Sequence, residues 1–131
     1  MAVIEAVTFS IDVPDIQAGI EFYTDGLGFE AKGYASEDSF HLEADNVRID
    51  LLEREPGSRS FPGDSPDRSY QRHWTPVHID LVVEDVESAV RKARGAGAVL
   101  ESGPRKVGSE SIAGCVDPFG NGFCLIQRLN D

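Results

Sequence analysis

Few side chains in this sequence are suited to chemistry. Three histidines, His41, His73 and His78, and two cysteines, Cys115 and Cys124, are the candidates for acid–base work or metal ligation. His78 lies in a run where Val77, Ile79, Leu81 and Val83 alternate with His78, Asp80 and Val82, so it shares a strand face with Asp80. A lone histidine carries little information, and a satisfied wall residue is as good a reading of His78 as a functional one. His41 and His73 have no partner recognisable from sequence. The cysteines are too few for a disulfide framework, lack a CxxC pair and read as small buried hydrophobes on neighbouring strands. Ser10 and Ser109 stand in no nucleophile motif, and Gly26-x-Gly28 and Gly95-x-Gly97 follow helices instead of opening them, as a phosphate loop would. Tyr70, Arg72, His73 and Trp74 form an aromatic–basic cluster. Trp74 can stack on a planar or cationic ligand, or it can plug a hydrophobic seam, the role that the usual burial of tryptophan favours.

The elements that must position these residues repeat. Apolar alternation from Val3 to Val13 predicts a strand, and Pro14-Asp15 breaks it. Ile16, Ile20, Tyr23 and Leu27 fall on one helical face, with Gly26 and Gly28 as the stop. Three strands follow, at Phe29–Tyr34, Ser39–Glu43 and Val47–Glu53, with Asp45-Asn46 as the turn between the last two. Residues 55–74 carry prolines, glycines and serines without periodicity and read as a linker or mobile loop. The pattern restarts at Thr75 with a strand, a helix opened by Glu84-Asp85, and strands at Ala98–Glu101, Ser109–Val116 and Gly122–Leu129. Setting Thr8 on His78 aligns Asp15 with Asp85 and Ile49-Asp50-Leu51-Leu52 with Phe123-Cys124-Leu125-Ile126. The prediction is an α+β domain of two tandem βαβββ modules, residues 1–54 and 75–131, joined by 55–74.

A chain of 131 residues with 40% apolar and 27% charged residues can bury one domain's core. Its formal charge of −11 argues against nucleic acid and anionic membrane surfaces, and it permits cationic ligands, although acidity by itself speaks first to solubility. The sequence shows neither a leader pattern nor a membrane-length apolar run, which makes the cytoplasm the expected compartment.

Asp117-Pro118-Phe119-Gly120-Asn121, ahead of the apolar strand Phe123–Gln127, resembles the closing turn of the vicinal-oxygen-chelate superfamily of glyoxalases, bleomycin-resistance proteins and extradiol dioxygenases. Val13-Pro14-Asp15-Ile16, Phe22-Tyr23 and Leu27-Gly28-Phe29 are similar to its first-module signature, so the resemblance spans the chain. It implies a half-open sheet around a cavity. Metal-binding members take four ligands from the first and last strands of both modules, and those positions here are Thr8, Asp50, His78 and Cys124. Ser10, Arg48 and Asp80 share the same strand faces, and with Trp74 they complete the expected ligand-binding set. Thr8 and Cys124 stand where the superfamily has histidine and glutamate, so no cofactor is expected. Asp50, His78 and Cys124 could still hold a divalent ion such as Zn²⁺, or Asp50 could orient His78 as a general base.

The resemblance therefore implies a small-molecule-binding protein without the usual metal, of the antibiotic- or metabolite-binding type, and a homodimer. The alternative is a divergent enzyme, lactoylglutathione lyase-like, isomerase or dioxygenase, in which Asp50 and His78 are catalytic. A partner-binding module with a vestigial cavity is the third reading.

Overall fold

The computed structural model describes residues 4–59 and 67–129. The elements run β1 (Thr8–Val13), α1 (Ile16–Glu21), β2 (Glu30–Ser36), β3 (Ser39–Ala44), β4 (Val47–Glu53), β5 (Ile79–Val82), α2 (Val86–Gly95), β6 (Val99–Val107), β7 (Glu110–Val116) and β8 (Gly122–Arg128). They form two four-stranded mixed sheets with the strand orders β1-β4-β3-β2 and β5-β8-β7-β6. In each sheet the first strand lies parallel to the last, and the other pairs are antiparallel. The order βαβββ thus occurs twice, as the repeat predicts. Contacts divide the chain into two compact units, one of residues 1–24 and 28–69 and the other of residues 25–27 and 70–131.

The same local devices build both modules. Asp15 and Asp85 are N-caps in extended conformation, each carboxylate accepting from the next two free amides of its helix. The amide of Ile16 donates to Glu53 at 2.9 Å and that of Val86 to Gln127 at 2.9 Å, so each helix start is tied to the end of its own module's last strand. Glu53 and Gln127 are matched by the repeat register, a correspondence that the side chains obey. With six residues, α1 is too short to persist alone. What holds it is burial: Val13, Leu42, Ile49 and Leu51 are sealed from solvent, and Gly19 brings the helix so close that an added Cβ would sit 3.1 Å from Val13. Each such aliphatic side chain contributes about 1.5–3 kcal/mol. In the second module Val86, Val90 and Ala93 of α2 are buried, as are Ala113, Cys115, Phe123 and Leu125 of the sheet.

Four differences from the sequence expectation have physical reasons. Val3 and residues 60–66 lie outside the described residues. β1 begins at Thr8, opposite Arg48, because β4, its one neighbour among the described residues, starts at Val47 just after the Asp45-Asn46 turn and does not extend alongside Ile4–Ala6. The first helix ends as a π-helical turn, Phe22–Gly26, which absorbs one residue more than the second module has between its helix start and the positive-φ glycine, Gly28 against Gly97. β6 runs on through Gly103-Pro104 to Val107, beyond the Glu101 at which the expected strand ends; at a sheet edge proline is tolerated, and the register shifts around Ser102 accommodate it. β5 starts at Ile79, not Thr75, since the Gly122 amide beside it donates to His73 O.

Candidate functional site

Strand register decides which side chains share the face turned away from the helices. In the first module Thr8 pairs with Arg48, Ser10 with Asp50, and Asp50 with His41. In the second Asp80 pairs with Cys124, and Cys124 with Gly114. The parity expected for Thr8, Ser10, Arg48, Asp50, Asp80 and Cys124 is therefore the one observed.

Asp50 is engaged within its own module. His41 Nδ1 lies 2.5 Å from Asp50 Oδ1, Arg48 Nε donates to the same oxygen at 3.1 Å, and Arg48 Nη2 lies 2.7 Å from His41 Nε2. Burial pushes the Asp50 carboxyl up, but the hydrogen bonds from His41 and Arg48 and the positive charge of Arg48 outweigh it, leaving a net pKa below the ordinary value. Sequence reasoning overlooked His41 as the partner. The signal was present: a two-residue turn at Asp45-Asn46 puts residue 41 opposite residue 50.

His78 has a different carboxylate from the one expected. Its Nε2 lies 3.0 Å from Asp80 Oδ1, and the Cys124 thiol donates to the same carboxylate. The donor atoms of His78, Asp80 and Cys124 all lie within 4.8 Å of one another. Burial, then the charge of Asp80 and the hydrogen bond to it, raise the Cys124 pKa, so the thiol is protonated at neutral pH. Cys115 faces the helix layer, fully buried, and is pushed up to about 11.

Trp74 lies flat on this same sheet. A Cβ built on Gly122 would meet the indole at 2.4 Å, and one on Gly114 would lie 3.9 Å from it. Its Nε1 donates to Glu101 at 2.9 Å, its ring meets that of His78 edge-on at 5.6 Å, and 38% of it remains exposed. Arg72 forms a two-pronged pair with the same Glu101. The segment is delivered by the turn before β8. His73 N donates to Gly120 O at 2.9 Å, and Gly122 N to His73 O at 3.2 Å. The buried Asp117 carboxylate shapes that turn by accepting from the amides of Phe119 and Asn121 and from the Asn121 side chain. Gly120 has φ +91, and a Cβ there would fall 2.5 Å from Tyr70 O. Glu101 was not singled out by sequence; nothing in its spacing distinguishes it.

The profile of glyoxalase-like domains matches residues 8–126. The chain belongs to the glyoxalase-like family. With it comes membership of the vicinal-oxygen-chelate superfamily. Among solved structures, a hypothetical protein from S. aureus is similar at 21% identity, TM-score 0.72, over 96% of this chain and 99% of that one. An antibiotic-binding protein from Streptomyces is 21% identical, TM-score 0.69, with 98% of each chain covered. A glyoxalase/bleomycin resistance protein/dioxygenase family enzyme from Burkholderia phytofirmans is 20% identical, TM-score 0.68, over 93% of this chain and 97% of that one. At these identities the likeness is one of fold, the two-module glyoxalase/bleomycin-resistance fold. None of the curated proteins matches the chain.

Some members of the superfamily hold a divalent metal on the four positions that correspond to Thr8, Asp50, His78 and Cys124. The residues present do not fit that group. Thr8 offers only a hydroxyl, and the Asp50 carboxylate already carries a guanidinium at 3.1 Å, whose charge repels a cation.

Proposed function

We propose that this glyoxalase-like protein binds a small organic molecule on the Trp74 face of its second module, without the four-ligand metal site of its superfamily. The observation that carries this reading is the indole itself, laid over Gly122, held by Glu101 and left partly exposed beside His78, Asp80 and Cys124. A preformed aromatic platform binds planar molecules at low ordering cost, and an adjacent carboxylate favours a positive charge on the guest. The net charge of −11 favours the same sign of ligand. An antibiotic-binding protein of the same fold is consistent with it. We further propose that the protein acts as a two-fold homodimer.

Trp74 is the sole tryptophan, so its fluorescence reports the site directly. Titration with cationic aromatic compounds should quench the emission saturably and raise Tm, and Trp74→Ala should remove the Tm shift. Unchanged emission and Tm across such a set, at concentrations well above micromolar, would count against the reading.

A second reading rests on the 3.0 Å contact of His78 with Asp80. A carboxylate that orients an imidazole makes a general base, so the chain could be an acid–base enzyme in which Asp80 takes the orienting role first given to Asp50. His78→Ala should then abolish turnover of whatever substrate is found; full activity in that variant removes the assignment.

A further inference from the structure

We propose that His78, Asp80 and Cys124 form a thiophilic metal site contained within the second module, suited to Zn²⁺ and independent of Asp50. One nitrogen, one oxygen and one sulfur donor meet at a single corner of the sheet. Asp80 and Cys124 are direct partners across the β5–β8 ladder, and His78, just ahead of β5, brings its Nε2 to 3.0 Å from Asp80. Backbone pairing therefore sets the spacing of two donors, and the contact with Asp80 places the third. A tetrahedral Zn²⁺ with bonds of about 2.0–2.3 Å holds its donors roughly 3.3–3.7 Å apart. The donor atoms here lie within 4.8 Å of one another, with the His78–Asp80 pair at 3.0 Å, so side-chain rotation of about an ångström closes the set.

Asp80 now lies 3.0 Å from His78 Nε2 and accepts from the Cys124 thiol. An incoming ion takes the place of the thiol proton, which leaves to solvent; sulfur and imidazole nitrogen each donate a lone pair, and no electron is transferred. Soft sulfur with borderline nitrogen selects Zn²⁺ over Mg²⁺ or Ca²⁺, which prefer oxygen. Three protein donors leave the fourth position open, and the exposure of His78 and Asp80 supplies an entry path. The edge of Trp74 against His78 restrains the ring from outside the set. The donor set differs from that of the superfamily in taking nothing from the first module and in using Asp80.

The test is a Co²⁺ titration of the full chain under reducing conditions, read by absorption. A thiolate-to-cobalt band in the near ultraviolet and intense visible bands of a four-coordinate ion should saturate at one equivalent, and Zn²⁺ should displace them. Cys124→Ser should remove the ultraviolet band, and Asp80→Asn should weaken binding by at least about tenfold. Asp50→Asn should leave the affinity within about twofold. Circular dichroism of each variant checks folding, and Cys124→Ala serves if the serine disturbs the strand. The proposal is overturned if the wild type gives no thiolate band, if the band survives in the Cys124 variants, or if it depends on Asp50 and not on Asp80. Ligand quenching of Trp74 is a separate readout, so failure of this site and failure of the binding reading are distinguishable.

Discussion

Arg48 and Gly122 hold equivalent places in the two modules, and so do His41 and Gly114. In the first module these positions carry long polar side chains that close a charged ring around Asp50. In the second both are reduced to hydrogen, and the cleared area is filled by Trp74 from a segment just upstream of the module's own first strand. The connections differ in the same sense. The link between β3 and β4 is the two-residue turn Asp45-Asn46, whereas β7 and β8 are joined by residues 117–121, and the Gly120 carbonyl with the Gly122 amide at the start of β8 captures residue 73. One duplicated frame thus carries a self-satisfied polar face and a face built to receive an aromatic ring. The helix layers, by contrast, stayed alike: both caps and both ties from helix start to last strand are kept.

The largest effect should come from the turn. Asp117→Ala leaves the Phe119 and Asn121 amides without their acceptor, and at about 1–3 kcal/mol for each orphaned group the loss in urea denaturation should be roughly 2–6 kcal/mol. Trp74 emission should shift to the red as the segment is released; an unchanged midpoint would mean the turn does not hold it. Next is Gly122→Ala, whose Cβ would fall 2.4 Å from the indole. It should cost about 1–3 kcal/mol and displace the ring. Its first-module counterpart, Arg48→Ala, should cost under about 1 kcal/mol with no spectral change, since that guanidinium is 43% exposed. Equal effects at the two positions would erase the contrast between the faces.

A smaller effect tests the charged ring. The Asp50 carboxyl titrates below its ordinary value of 3.8 in the folded chain, so its contribution is present above that pH and is lost as the pH falls through the folded value. The stability advantage of wild type over Asp50→Asn, under about 1 kcal/mol, should therefore shrink in that acid range and not between pH 5 and 8. Smallest is a rate. Asp80→Asn removes the charge and the acceptor that help raise the Cys124 pKa while leaving the burial that raises it most. Alkylation of Cys124 near pH 8 should accelerate by about three- to tenfold in that variant, with Cys115 unreactive in both. A rate indifferent to Asp80 would remove the Asp80–Cys124 contact.

How much of this was legible follows the range of the interactions. Caps, turns and strand parity act over a few residues, so Asp15, Asp85, the Asp45-Asn46 turn and the faces of Asp50 and Cys124 could be read off directly. The extra residue of the first helix was also visible in the spacing of Gly28 and Gly97, yet only the backbone shows it taken up as a π-helical turn. The duplication was readable because each module must bury the same helix-facing layer, which preserves apolar spacing even where identities are lost. The pairing of carboxylates was not. Asp50 can reach several imidazoles in principle, and which one it takes depends on cross-strand register and on Arg48 joining the ring. The floor under Trp74 was less legible still, since Gly114 and Gly122 look like ordinary strand or turn glycines until a ring from forty or more residues upstream is laid on them. The sequence by itself determined the modules, their faces and the family, because hydrophobic periodicity and turn chemistry are local. Only the tertiary structure decided that Asp80 meets Cys124 and that Trp74 lies on glycine, because those contacts join segments whose proximity is set by the sheet.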